Sequence, residues 1–402
     1  MQSISLKKEI LDEINTILYR FIWKKDSLDK KAWERIKRNV LCNSKEKGGL
    51  EMINMHDFQK SFLIDWACRL INEEQEDWTA IPKKFLKTIG GISIFKSKIT
   101  SDRFKGLETI ESSFWRSVLQ IWLDNNQTEQ HIRLSDTINN NNQVTLNNQV
   151  LFVERAIQGN IIYIKDMMIE GQLISFDLYE NRIGRHPSNL IDYLTLRTAL
   201  SKIKNEILLD HNKNVLFKNI DIKQIKRKKI YQLIKKEELC YCETMWENKL
   251  GNNLHPETWV NLFKNIKETK LIEIQYKILH NIFPTNILLN RIGIKHSEKC
   301  DFCNEKDYVE HCFYKCNRLK PFWDKISTII NTKINMKITL SEKNILLGIE
   351  QDHHNLNMEE IKFINSIILI GKLAIIKNKF HKIDIDLIFD REINLRKDKL
   401  NR

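Results

Sequence analysis

The sequence predicts a mainly α protein: multi-helix segments, a small metal-stapled knuckle and minor β structure in the middle. Three observations carry that reading. Gly (12) and Pro (5) are scarce among 402 residues. Together they make about 4% of the chain against roughly 12% on average, whereas sandwiches, barrels and Gly-rich nucleotide folds need many turns. Apolar residues recur at three- and four-residue spacing in several stretches, as an amphipathic helix requires. Five Cys/His residues crowd into 300–316.

Taken in order, Ile10, Leu11, Ile14, Ile17, Leu18 and Phe21 form one apolar helical face. A basic connector follows and ends in Lys45-Glu46-Lys47-Gly48-Gly49-Leu50, where the glycine pair permits a sharp turn. A second helix is predicted over 58–71, with Phe58, Phe62, Leu63, Trp66 and Leu70 on one side. Gly90-Gly91 and Gly106 punctuate the middle, and Trp115, Leu119 and Trp122 predict a short helix. The runs Asn139–Asn142 and Asn147-Asn148 read as a polar loop between subdomains. The β-branched clusters of 150–164 predict a short strand pair. Leu271, Ile274, Gln275, Ile278, Leu279 and Ile282 return to helical spacing, and Phe283-Pro284-Thr285-Asn286 breaks the run. The last predicted helices cover 321–330 and 359–380. Trp66, Trp115, Trp246 and Trp323 sit on apolar helical patterns and are assigned to core packing rather than to base stacking.

The cluster reads Cys300-x2-Cys303-x7-His311-x4-Cys316. Two thiolates on a tight turn, with a His and a third Cys returned by a short excursion, complete a closed tetrahedron. A structural zinc ion is therefore expected; with no open position it would stabilise the fold and would not activate water. Cys312 stands beside His311 as an alternative ligand, although a residue next to a ligand usually points elsewhere. Cys240 and Cys242 form a second pair, read as structural because residues two apart on a helix face different sides. Eight Cys in 402 residues are too few for a disulfide framework, so cytosol or nucleus is the expected compartment.

Net charge is +13, which points to a polyanionic partner. The charge is concentrated. Segment 24–47 carries nine Lys/Arg and four acids, 223–236 seven and none, and 362–382 five and none. A phosphate-binding surface needs such clustering. Candidate nucleic-acid contacts are Lys226, Arg227, Lys228, Lys229, Lys235 and Lys236, with Lys37 and Arg38 in the first segment. A helix in 223–236 would bury Ile222, Ile225, Ile230, Leu233 and Ile234. The bland alternative is a solvated basic face.

Other classes lack their signatures. Charged residues interrupt the N-terminal 22 residues, so no secretory core is predicted. The longest apolar run, 363–376, contains Asn365 and Lys372 and falls short of the about 20 residues of a span. No Asp-Asp pair, Walker loop or His-Glu-x-x-His helix occurs. Asp384, Asp386 and Asp390 read as a solvated face, and His353-His354 as a loop pair. No catalytic residue is assigned, and the chain is expected not to be an enzyme.

Three stretches resemble the region that follows the reverse-transcriptase core of LINE-class (non-LTR) retrotransposon proteins. They are Tyr19-Arg20-Phe21-Ile22-Trp23-Lys24 with Lys45–Leu50; Ile274-Gln275-Tyr276-Lys277-Ile278-Leu279-His280 with Pro284-Thr285-Asn286; and Cys300, Cys303, His311 and Cys316 with 319–323. The resemblance implies a thumb-like helical segment over 1–75, a connecting region over 76–220 and a zinc-bearing helical segment over 221–402. It implies RNA and DNA as partners, no membrane, and a role in holding template and target, with a polymerase core supplied in trans as a further partner. Endonuclease, fingers and palm are absent from these 402 residues, so a truncated copy or a gene model begun at an internal Met is the expectation. The competing expectation is a zinc-stapled protein-interaction module.

Overall fold

The structure is a computed structural model and describes residues 5–22, 35–73, 75–126, 131–207, 215–251, 258–259, 268–349 and 356–397. Trp23-Lys24, the 24–34 part of the first basic segment and His353-His354 lie outside the described residues. Among the described residues the protein is mainly helical, with three two-stranded antiparallel hairpins.

In the first half the helices are α1 (Lys8–Ile22), α2 (Arg38–Cys42), α3 (Met55–Asn72), α4 (Ala80–Leu86), α5 (Ser113–Asn125), α6 (Glu154–Gln158), α7 (Phe176–Ile183) and α8 (Asn189–Ile203). The second half holds α9 (Arg227–Ile234), α10 (Tyr241–Leu250), α11 (Thr269–Leu279), α12 (Asn286–Arg291), α13 (Lys320–Ile334), α14 (Glu342–Leu347), α15 (Met358–His381) and α16 (Ile385–Asn394). The chain forms two compact units, Met1–Ile22 with Ile53–Lys236, and Trp23–Met52 with Glu237–Arg402.

The first unit is organised by α3. Asn54 caps it, its side chain accepting from the amides of His56 and Asp57. The helix packs against α1, α5 and α9, which is why Leu63, Ile64, Ala67, Cys68 and Leu70 are all buried. Trp115, Leu119 and Trp122 of α5 enter the same core, and the Trp122 indole donates to the Phe95 carbonyl at 2.9 Å. Trp66 is half-buried and meets Trp78 edge-on at 5.5 Å.

Three expectations differ here. In α1 the buried residues are Leu11, Asn15 and Tyr19, while Ile17 and Phe21 stay exposed. Asn15 accepts from the Met55 amide at 3.0 Å, so a polar bond to the start of α3 selects the buried stripe. The strand pair expected over 150–164 is instead a hairpin of β1 (Thr145–Leu146) and β2 (Gln149–Val150) followed by α6. Asn147 and Asn148, both at positive φ, make its turn. The Asn-rich run is a loop, as expected, but not a solvated one, since Asn139, Asn140 and Asn141 are buried. Asn140 exchanges two hydrogen bonds with the Lys105 backbone, at 2.8 and 3.0 Å, and Asn139 accepts from the Val153 amide at 2.7 Å. Short amides replace missing ladder partners, and that satisfies buried backbone groups.

The second unit is built around the 24-residue α15, apolar on nearly all sides. It contacts α11, α13 and α16. Gly371 permits the approach of α13, because a Cβ there would lie 2.7 Å from Ile326 Cδ1.

The Lys47-Gly48-Gly49 turn docks onto α11, where Tyr276 donates to the Gly48 carbonyl at 3.0 Å. Gly48 is left-handed at φ +73, and a Cβ on Gly49 would lie 2.0 Å from the Asn43 carbonyl oxygen. Gly49→Ala is therefore expected to cost at or above the roughly 3 kcal/mol upper range of overpacking. Gly91→Ala meets open space and should cost only about 1 kcal/mol from its left-handed φ. Chemical denaturation of both variants checks the contrast.

Candidate metal centre and basic surface

The knuckle starts as a tight hairpin. Lys299 and Lys306 form an antiparallel bridge, the Cys300 amide donates to the Glu305 carbonyl at 2.7 Å, and the Asn304 amide donates back to Cys300 at 3.2 Å. Asn304 supplies the left-handed turn residue at φ +65. The amides of Phe302 and Cys303 also donate to the Cys300 sulfur, and that of Arg318 to Cys316. Such bonds favour thiolates.

The return arm solves a spacing problem. His311 and Cys316 are five residues apart, which an α-helix would place on well-separated faces. Residues His311–Lys315 instead form one π-helical turn, closed by the Cys316 amide on the His311 carbonyl at 3.2 Å. That wider turn stacks the fifth residue over the first, and such turns concentrate at functional sites. His311 Nε2 lies 3.1 Å from Cys303 Sγ, and Cys303 and Cys316 sulfurs are 3.8 Å apart. All four ligand atoms lie within 4.8 Å of one another, so the group can hold a metal ion. Two tetrahedral thiolates on one ion would sit about 3.8 Å apart.

Burial sets the electrostatics. It pushes Cys300 up and Cys316 up to about 12, and it lowers His311. That favours the neutral imidazole, the form that ligates. Cys312 is fully buried and pushed up to about 12 by burial. Its sulfur faces Lys379 Nζ at 3.9 Å and is outside the ligand group.

A polar shell holds the knuckle. Buried Asp307 accepts from the Asn286 amide at 2.7 Å and from the Lys379 ammonium. Asn286 donates to the Lys299 carbonyl at 2.6 Å and to Asp301 at 3.2 Å. Lys295 bridges Asn286 and Asp301. Thr285 caps α12. The Pro284-Thr285-Asn286 break is therefore the anchor of the knuckle.

The basic segments fare unequally. In 223–236, Ile230 and Ile234 anchor α9 in the core, and Lys226, Lys228, Lys229 and Lys236 are exposed, with Lys235 half-buried. None of these five has a carboxylate partner among the described residues. Arg227 is turned inward, 4.0 Å over the Phe62 ring and 3.0 Å from Asp65. Lys37 is exposed, while Arg38 is half-buried and engaged. The third segment is largely internal. Lys372 is buried, Lys377 pairs with Glu392, and Lys379 pairs with Asp307. Of the five lysines in that segment, only Lys362 and Lys382 are exposed.

The acidic trio near the C-terminus is occupied in part. Asp384 caps α16, and Asp386 and Asp390 receive Lys325 at 3.0 and 3.2 Å. No described helix is long and apolar enough to cross a membrane. One residue with ligand chemistry escaped sequence analysis: His280, which the fold brings to Cys240 and Cys242. Its only local signal was its position at the end of a predicted helix. No family model matches the chain, and no curated protein matches it.

Proposed function

We propose that this chain is a non-catalytic nucleic-acid-binding protein. It would hold RNA, and DNA of similar geometry, through phosphate contacts, with the knuckle as a structural zinc site, as in the post-palm region of non-LTR retrotransposon proteins that it resembles. The observation that carries the reading is the run Lys226, Lys228, Lys229, Lys235 and Lys236. It is cationic, unpaired among the described residues and mostly exposed; Lys228 and Lys229 lie on α9, whose Ile230 and Ile234 are buried, and Lys226, Lys235 and Lys236 flank its two ends. A cationic row locked by an apolar face keeps its charges in place for a backbone, which a solvated tail does not. The knuckle's donor set of three thiols and one imidazole suits zinc, and its four ligands leave no corner for a reacting water.

The test is salt-dependent binding to a structured RNA. Neutralising about six phosphates predicts a log–log slope of about −4 to −5, from single-stranded to paired regions. Lys226→Glu, Lys228→Glu and Lys229→Glu together should flatten that slope by about 2. Arg227 is left intact because its bonds to α3 support the fold. A salt-independent affinity, or equal binding by the triple variant, overturns the reading. Negligible binding at physiological salt favours the protein-interaction alternative.

A further inference from the structure

We propose a second metal site, separate from the knuckle, in which Cys240, Cys242 and His280 bind one thiophilic divalent ion such as zinc. These three ligand atoms lie within 4.8 Å of one another.

Local structure explains why the two thiols converge. The helical rule that separates residues two apart applies only when both are in the helix. Cys240 is the N-cap of α10, with extended backbone at φ −83 and ψ 113, and Cys242 is the second helical residue. The change of backbone direction at the cap turns both sulfurs to one side, and both residues are buried. A helix N-terminus also favours thiolate over thiol.

The orientation of His280 is the second, independent observation. It follows α11 directly, and its Nε2 lies 2.8 Å from the Gly48 carbonyl oxygen. A carbonyl can only accept, so Nε2 carries the proton and Nδ1 presents its lone pair. That Nδ1 lies 3.8 Å from each of the two sulfurs. A tetrahedral ion would set an imidazole nitrogen and a thiolate about 3.6 Å apart. A ligating histidine held through its other nitrogen by a backbone carbonyl is the usual supporting arrangement at metal centres. The ring is further fixed by Tyr276 and Trp259, with centroids at 4.4 and 5.0 Å.

The sulfurs themselves are 2.6 Å apart. One ion would hold them about 3.8 Å apart, so binding spreads the pair by about an ångström, a small side-chain rotation. Three protein ligands leave one corner for a water or another small ligand. The ion would tie the start of α10 to the end of α11 and, through His280, to the Gly48 turn.

Metal counting on the full chain, purified under reductant, tests this. Wild type should carry two zinc ions. Cys303→Ser with Cys316→Ser should keep one, and Cys240→Ser with Cys242→Ser should keep one. Cobalt bound to the knuckle-deficient variant should show charge-transfer intensity for two thiolates, whereas the other variant shows three. His280→Gln, which retains a donor for Gly48, should lose the second ion to a weaker chelator than wild type does. One ion per wild-type chain, absent from the knuckle-deficient variant, overturns the second site and leaves the knuckle standing. So does finding Cys240 and Cys242 blocked to alkylation as a disulfide.

Discussion

Cys303→Ser is expected to release one zinc ion per chain and to expose the region around the knuckle, whereas Cys312→Ser should release none. Cys303 is the ligand nearest both His311 and Cys316, so its loss opens the tetrahedron at its centre. Structural zinc contributes roughly 10 to 16 kcal/mol to small metal-dependent folds at neutral pH, far more than the hairpin bonds around Asn304 can supply. The shell of Asp307, Asn286 and Lys379 should limit the damage to the knuckle and α12. Elemental analysis and amide exchange over 286–319 check both parts. Equal metal content in Cys303→Ser and wild type refutes the assignment, and metal loss in Cys312→Ser would put that thiol in the ligand set.

Lys372→Met is expected to stabilise the protein near pH 6.5 and to lose that advantage by pH 10. Lys372 is fully buried in α15, and its ammonium reaches the Gln275 side-chain oxygen and the Leu346 carbonyl, at 2.5 and 3.2 Å. Both partners are neutral. Burial alone lowers Lys372 to about 7, against about 10.4 in an unfolded chain. Below pH 7 both states are charged and the folded state bears the whole desolvation cost, roughly 5 kcal/mol. Between about pH 7 and 10.4 the unfolded state binds the extra proton, so stability rises with pH across that window. The methionine removes the cost but leaves the Gln275 oxygen without its donor, a loss of about 1 to 3 kcal/mol. The net change should therefore be stabilising at low pH and destabilising at high pH. Melting temperatures at pH 6.5 and 10 read the sign, and an equal difference at both would show that Lys372 does not change charge on folding.

Much of the helical framework was legible because amphipathic periodicity is a local property. The 58–71 pattern became α3, the Trp115/Leu119/Trp122 spacing became α5, and the 359–380 pattern became α15. The convergence of Cys300, Cys303, His311 and Cys316 into a group that could hold a metal ion was legible for the same reason, since all four lie within one short segment. Legibility failed where a polar side chain took a distant or buried partner. Asn15 chose the buried stripe of α1, Asn139–Asn141 served as backbone substitutes, and Arg227 turned from the basic row to Asp65. None of these choices leaves a mark on hydropathy.

By itself the sequence determined the helical class, the scarcity of turns, the Cys-Cys-His-Cys set and the concentration of positive charge. Each follows from residue type and short spacing. Only the tertiary structure decided which charges remain free for a partner, because burial and pairing depend on what folds against a segment. It removed Lys372 and Lys379 from the candidate surface and left Lys226, Lys228 and Lys229 on it. It also brought His280 to Cys240 and Cys242 across about forty residues of chain. Ligand convergence at that separation is set by helix packing and by one carbonyl, that of Gly48, which chooses the nitrogen that faces the thiols.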